Sequence, residues 1–373
     1  MTERHSSRAV LLTALLVVSL AAIGAAAVAA PAAADHDDEG CEFPVTVTDH
    51  TGTEVTVEEP PGEVVLIDAA SSQTVWEIGA QDRVVGMPVR GYTEYLEGSE
   101  ERTDVLTEDG QSVDVETVVD LEPDLVIAPN FASEEEIEQL RDADLVVYQS
   151  PFEESFEDIY AKTEVYGHFL DECDAAAETV DATREEVETV REAVADEETP
   201  RVLYYFFGFT AGEGTFIGDV IETAGGENFG AEAGIQGFQE ISDEVVVEED
   251  PEWIVHPDDE GAVDLDAEPL SETTAVETDQ VLEVDANLVS QAGPRVVEPL
   301  REMAEAFHPE VFADPEPTPT QTPTPEEPAD TPVDDEPADA DDEPNDADDM
   351  VGFGAAVAVI AVLAAALLAR RRG

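Results

Sequence analysis

The sequence predicts an α/β protein built as two similar lobes joined by a long helical segment, with a ligand cleft between the lobes. Three observations carry this reading. In both halves short apolar runs alternate with helical patterns, which is how a parallel sheet covered on both faces reads. Between the halves, residues 155–195 contain no Pro and one Gly, and their apolar residues recur at helical spacing. The third observation is an internal repeat. VDVETVVDLEPDLVIAP (113–129) and ISDEVVVEEDPEWIVHP (241–257) each place a glutamate on the first turn of a short helix, seven residues before a proline. An acidic residue, an apolar strand and a second proline then follow in both. The two glutamates, Glu116 and Glu244, lie 128 positions apart.

Along the chain, residues 44–57 (PVTVTDHTGTEVTV) alternate apolar and polar side chains around Asp49-His50-Thr51-Gly52, predicting a β-hairpin. Residues 64–67 read as a buried strand, 72–79 as a helix and 84–87 as the next strand. A helix at 115–121 leads to a buried strand at 125–128, and a helix at 134–142 to a strand at 145–148. These elements fill an N-terminal lobe, 41–150. Residues 151–198 form the interlobe helical segment. Ser155 and Asp158 are its capping pair. Phe156, Ile159, Val165, Phe169, Val180, Val187, Val190 and Val194 are its apolar positions, and a break is expected near 171–174. A C-terminal lobe, 199–313, repeats the logic with a strand at 201–207, a Gly-rich loop at 208–215, a helix at 215–224 and a strand at 253–256.

The two ends place this body. Residues 1–34 read as a secretory signal peptide: Arg4, His5 and Arg8, an apolar run over 10–30, then Ala32, Ala33 and Ala34 before an acidic stretch. Residues 314–350 are Pro, Thr, Asp and Glu with almost nothing to bury, which predicts a disordered, self-repelling acidic stalk whose Thr-Pro repeats suit O-glycosylation. Residues 351–373 hold an apolar stretch just long enough to cross a bilayer, closed by Arg370, Arg371 and Arg372. Arginines of this kind stay cytoplasmic, which puts stalk and body on the extracellular face of the cell membrane. The tail (VGFG, apolar helix, RRR) resembles the PGF-CTERM sorting signal of haloarchaeal surface proteins, which an archaeosortase removes in exchange for a lipid. Val351 stands where that motif has Pro. The resemblance therefore implies a membrane tether and leaves the exchange open.

Net charge is −76, from 91 acidic against 15 basic residues, and Lys162 is the sole lysine. Disorder is one source of such a balance, but 42% hydrophobic content and the regular patterns above argue for a packed body. The charge fits a surface adapted to molar salt, where screening shortens repulsion to a few ångströms. It argues against nucleic acid as a partner, because neutralising phosphates takes clustered Lys and Arg. Two cysteines remain in the body, Cys41 and Cys173. Outside the cell an even pair favours a disulfide over two buried thiols, and this one would close a long loop.

Catalytic motifs are missing: there is no Gly-x-Ser-x-Gly, His-Glu-x-x-His or Cys-x-x-Cys. The body histidines, His50, His168, His256 and His308, fall one per region, so no metal set is expected. The loop GFTAGEGT (208–215) sits where phosphate cradles occur, but it has no Lys and carries Glu213, so it reads as close backbone approach to a bulky neutral ligand. Aromatics gather at strand ends: Tyr92, Tyr95, Phe131 and Phe152 in the first lobe, Phe207, Phe209 and Phe238 in the second. Tyr92, Tyr95, Phe209 and Phe238 read as exposed loop residues without core duty, suited to a flat, large, apolar-faced ligand. Ser72, Asn130, Thr210 and His256 complete the candidate ligand set. For His256 a locally satisfied side chain is the competing reading.

With these features in place, the body resembles the class III solute-binding proteins of ABC importers for cobalamin, ferric siderophores and haem. The stretches that carry the resemblance are EVVLIDAASSQTVWEIGAQDRVVGM, VDVETVVDLEPDLVIAP, GEGTFIGDVIETAGGENF, ISDEVVVEEDPEWIV and GPRVVEPLREMAEAFHPE, and it covers nearly all of 43–312. It implies two Rossmann-like lobes on a rigid connecting helix, no cofactor, and an ABC permease dimer with its ATPase as partner. It also implies that Glu116 and Glu244 dock on permease arginines, one per lobe. A corrinoid is the expected ligand, because tyrosines after the second strand match where cobalamin binders set an aromatic over the corrin. Only Arg83, Arg90, Arg102 and Arg141 serve the first lobe, too few for the Arg-lined clefts of anionic siderophore binders. A ferric siderophore or haem is the alternative ligand. An adhesion protein without transport is the alternative of another class, and it leaves the paired glutamates unexplained.

Overall fold

A computed structural model of the protein describes residues 41–313; the segments read as signal peptide, stalk and anchor lie outside the described residues. In the N-terminal lobe, alternating Val and Thr make β1 (Val45–Thr48) and β2 (Glu54–Val57) an antiparallel hairpin with Val45 opposite Val57. Asp49 closes its turn by accepting the N–H groups of Thr51 and Thr53. β3 (Val64–Leu66), β4 (Val84–Met87), β5 (Thr103–Asp104), β6 (Leu125–Ala128) and β7 (Val147–Gln149) form a parallel sheet in the order β5-β4-β3-β6-β7. Every residue of β3, β6 and β7 is buried, because α1 (Ala69–Glu77), α2 (Val115–Asp120) and α3 (Glu134–Asp142) cover the sheet with the interlobe helices. That burial is why β3 and β6 read as unbroken apolar runs.

The interlobe segment is two helices, α4 (Phe156–Leu170) and α5 (Cys173–Val194). Ser155 caps α4 through the Asp158 N–H, and the expected break falls at Asp171, which turns in the left-handed region (φ 59°). Phe156, Ile159 and Tyr160 at the start of α4 pack in the C-terminal core, whereas Tyr166, Phe169 and Leu170 at its end pack in the N-terminal core. The second helix runs back, from Ala176 in the N-terminal core to Val187 and Val194 in the C-terminal one. The lobes thus share a helical hairpin rather than hang on one rod. Close approach at its tip requires Gly167, where a Cβ would lie 2.3 Å from that of Ala176. A disulfide joins Cys41 to Cys173, pinning the N-terminal segment to the first residue of α5.

The C-terminal lobe runs β8 (Arg201–Tyr204), β9 (Phe209–Ala211), α6 (Phe216–Thr223), β10 (Glu227–Asn228), α7 (Phe229–Glu232), β11 (Phe238–Glu240), α8 (Asp243–Glu249) and β12 (Trp253–Pro257). It ends with α9 (Thr274–Glu277), β13 (Val281–Val284), α10 (Ala286–Val289), α11 (Val297–Phe307) and α12 (Pro309–Phe312). Its parallel sheet has the order β10-β8-β12-β13, and β9 pairs with β11 outside it. Without the edge strand β5, the N-terminal order β4-β3-β6-β7 matches this strand for strand. The repeat seen in the sequence is therefore a repeat of topology. In it α2–β6 corresponds to α8–β12. Asp114 and Ser242 cap the two helices alike, each accepting the N–H three residues on, and Glu116 and Glu244 are both exposed.

One expectation is corrected here. The run 201–207 stops being a strand at Tyr204, and Phe207 (φ 48°) with Gly208 (φ 87°) then reverses the chain. Phe206 and Phe209 exchange backbone hydrogen bonds of 3.0 and 2.8 Å across that turn. Phe209 and Thr210 are consequently residues of β9, not of a Gly-rich loop.

Candidate ligand cleft

Ligands of open parallel sheets sit beyond the carboxyl ends of the strands. Here β3 delivers Asp68 and Ser71 to a crevice, β6 delivers Asn130 and Phe131, and β7 delivers Ser150, Phe152 and Glu153. The C-terminal lobe closes it with Phe216 at the start of α6, Phe238 of β11, and Ser290 and Ala292 beyond α10. Lys162 of α4 completes the lining of this crevice, whose cavity volume is about 70 Å³. A second hollow of about 90 Å³ adjoins it, sharing Asp68, Pro129 and Phe131 and adding Tyr92, Gln111 and Glu136.

The floor is polar and tightly bonded. Asp68 caps α1, its Oδ1 accepting the Ser71 N–H at 2.8 Å and its Oδ2 the Ser71 hydroxyl at 2.6 Å. The buried Tyr166 hydroxyl bonds both Ser71 Oγ (2.8 Å) and Ser150 Oγ (2.7 Å). Lys162 Nζ lies 3.1 Å from Glu153 Oε1 and donates to the Ala292 carbonyl, so it ties the helical hairpin to both lobes. Burial raises the Glu153 carboxyl above the usual range although Lys162 pulls it down, and the charge of Asp68 adds to the rise. Neither hollow is lined by an arginine.

Asn130, Phe131, Phe152 and Phe238 of the expected set line the crevice, and Tyr92 lines the adjoining hollow. Other placements correct the sequence reading. Ser72 is fully buried with its hydroxyl on the Asp68 carbonyl (2.7 Å), and its neighbour Ser71 takes the cleft position. Tyr92 and Phe238 are buried rather than exposed. Tyr95 serves the lobe junction: its hydroxyl donates to Gln291 (2.7 Å) and accepts from Gln73 (3.1 Å), while Gln291 donates to the Tyr92 carbonyl (3.0 Å). Phe209 stacks on Phe206 with centroids 5.9 Å apart, and Thr210 is fully buried. Phe207 is 39% exposed but lines neither hollow. His256 is buried, with Nδ1 2.9 Å from the Pro257 carbonyl, which is the locally satisfied arrangement. Lys162, Glu153, Asp68 and Phe216 line the crevice without belonging to the set expected from the sequence. The available signal was that Lys162 falls on the apolar stripe Ile159, Tyr166, Phe169 at helical spacing.

Beyond β12, Asp259 is buried and its Oδ1 has no hydrogen-bond partner among the described residues. Burial, aided by Asp258 and Asp285, pushes its carboxyl up to about 6 from 3.8. A carboxyl raised in the folded state costs stability above its unfolded value, and the cost is complete only above the folded value. Asp259→Asn is therefore expected to raise the Tm above pH 6 and to leave it unchanged below about pH 4. Thermal melts with equal shifts at both pH values would contradict a buried ionised group.

Two parallel-sheet lobes around a crevice with aromatic walls and a polar floor have the form of a binding cleft. The comparisons with known proteins agree: residues 64–288 match the family model described as periplasmic binding protein, and the chain belongs to that family of solute binders, which are not enzymes. It is 36% identical over 317 residues to the cobalamin-binding protein of Halobacterium salinarum, covering 82% of this chain and 85% of that one. It is 28% identical over 282 residues to YvrC of Bacillus subtilis, described as an ABC transporter substrate-binding lipoprotein, covering 72% and 87% respectively. Among solved structures, the periplasmic haem-binding protein RhuT from Roseiflexus in apo form has a TM-score of 0.60 at 23% identity, covering 67% of this chain and 98% of that one. That likeness is one of fold. Residues 352–372 match the PGF-CTERM motif, so the chain carries a C-terminal surface-anchoring motif.

Proposed function

We propose that this protein captures a corrinoid of the cobalamin class at the extracellular face of the cell membrane and delivers it to an ABC importer. The observation that carries the ligand choice is the charge of the crevice: its one lining cation, Lys162, is already paired with Glu153, Asp68 adds a second carboxylate, and no arginine lines it. Haem, with its carboxylates, or an anionic ferric chelate would meet like charge there, and like-charge contact in a partly buried site is costly. A corrin with amide arms would not, and Phe131, Phe152, Phe216 and Phe238 offer its apolar faces aromatic contact. The relative described as cobalamin-binding supports the same choice. The second reading, a ferric siderophore or haem, draws on the fold of the haem-binding structure. Titration of residues 41–313 in molar salt with cobalamin, cobinamide, haem and ferrichrome is expected to give saturable binding of the two corrinoids. Binding of haem or ferrichrome alone would replace the first reading by the second.

Delivery follows from the repeat. Glu116 and Glu244 are exposed at equivalent places on the two lobes, one each for the two subunits of a permease dimer. The C-terminal anchor keeps the body near that permease, raising its effective concentration there. Reversing both charges, Glu116→Arg with Glu244→Arg, is expected to leave corrinoid affinity unchanged and to cut cellular uptake about tenfold or more, the loss expected when docking charge pairs are broken. Undiminished uptake would remove the docking role.

A further inference from the structure

We infer that the Lys162–Glu153 pair, with Asp68 beside it, is a primary-amide subsite that separates amide-bearing corrinoids from carboxylate-bearing ones. The inference rests on the corrinoid reading and says which chemical form is taken. Lys162 is 3% exposed at its side chain and Glu153 15%, so both are largely withdrawn from water while still lining the crevice. An ammonium offers three N–H donors. Among the described residues Lys162 directs them to Glu153 and to the Ala292 carbonyl, which leaves one. Glu153 likewise uses Oε1 for Lys162 and keeps acceptor capacity on Oε2.

The crevice thus presents a donor and an acceptor on charged groups 3.1 Å apart. A primary amide matches that pattern, because one carbon carries both a carbonyl acceptor and an NH₂ donor. A carboxylate arm can accept from Lys162 but brings no donor, and it adds a third negative charge next to Glu153 and Asp68. An alkyl ester leaves Glu153 without a donor, and a bare methyl leaves both partners unmatched, in a site where unmatched polar groups are costly. The Ser71–Tyr166–Ser150 chain holds the floor under this pair rigid, with each hydroxyl already engaged.

The test compares two probes on residues 41–313: dicyanocobinamide, whose arms are amides, and dicyanocobyrinic acid, the same ring with free carboxylates. Molar KCl shortens the screening length to about 3 Å, so that contact rather than overall charge sets the difference. The wild-type protein is expected to prefer the amide probe by about tenfold to a hundredfold. Glu153→Gln supplies an N–H donor to a carboxylate and removes a like charge, so it is expected to tighten cobyrinic acid binding and shrink the preference severalfold. Asp68→Asn, which keeps the helix cap, should act in the same direction by a smaller factor. A gain of carboxylate affinity is a change that mere structural damage cannot produce. If neither probe binds, the corrinoid reading fails and takes the subsite with it. If both bind equally to the wild type, or if the preference survives intact in both variants, the amide subsite fails and the corrinoid reading stands.

Discussion

Lys162→Met is expected to lower stability by about 3–5 kcal/mol at neutral pH, because it leaves Glu153 buried without its counter-charge. Spread over a body of this size, that is a fall in Tm of roughly 10 °C. Three consequences of the geometry add up in this one residue. Glu153 loses the cation 3.1 Å away, the Ala292 carbonyl loses its donor, and the helical hairpin loses its tie to both lobes at the cleft floor. The sign of the pH dependence follows. Burial already raises the Glu153 carboxyl in the folded protein, and Lys162 is the largest opposing influence, so its removal raises the carboxyl further. A raised folded-state carboxyl costs stability above its unfolded value, and the cost disappears as pH falls through the folded value toward the unfolded one. The deficit of Lys162→Met against the wild type should therefore be larger at pH 8 than near pH 4.5. Adding Glu153→Gln to Lys162→Met should recover most of the loss at pH 8. A deficit that ignores pH, together with no rescue by the second substitution, would show that Lys162 acts through packing of its stem alone.

Features set by local periodicity were legible in the sequence. The α/β alternation, the break at Asp171 and the equivalence of 113–129 with 241–257 depend on backbone period, caps and prolines, which neighbouring residues determine. What escaped depended on residues far away. Tyr95 looked like a free loop aromatic because its partner, Gln291, is 196 positions on. Phe207 looked like strand because four aromatics in a row carry β propensity, yet it takes a left-handed turn with Gly208. Ser72 is the sequence's candidate where Ser71 lines the cleft, an offset of one residue that a helix turns into about 100° of rotation. The charged floor was invisible for a different reason. In a chain with 91 acidic residues, two more carboxylates carry no signal, and a lysine within a helix is ordinarily solvated. The place of Lys162 on an apolar stripe is the one local clue, and it points to a buried partner without saying which.

Replacing Cys41 and Cys173 by serine is expected to destabilise the protein by about 4–5 kcal/mol, the loop-closure entropy for a cross-link spanning more than a hundred residues. The two residues are 132 positions apart, with Cα atoms 5.8 Å apart in the fold. In calorimetry the fall in Tm should be on the order of 10 °C. Reducing the wild-type protein should give the same melting curve as the double variant, because both act on the unfolded chain. Corrinoid affinity should be unchanged, since neither cysteine lines the crevice. Which part of the molecule responds is the more informative measurement. The closed loop contains the whole N-terminal sheet and α4, whereas β8 to β13 lie outside it. If the lobes melted separately, only the N-terminal transition would move. The helical hairpin argues otherwise: Phe156 and Val187 belong to the C-terminal core, and Phe169 and Ala176 on the same two helices to the N-terminal one. Neither core can dissolve without exposing apolar residues of a helix that the other holds. One cooperative transition is therefore expected to shift as a whole, with amides of β6 and β12 losing hydrogen-exchange protection together. A C-terminal transition that stays in place while the N-terminal one falls would show that the shared hairpin does not couple the lobes.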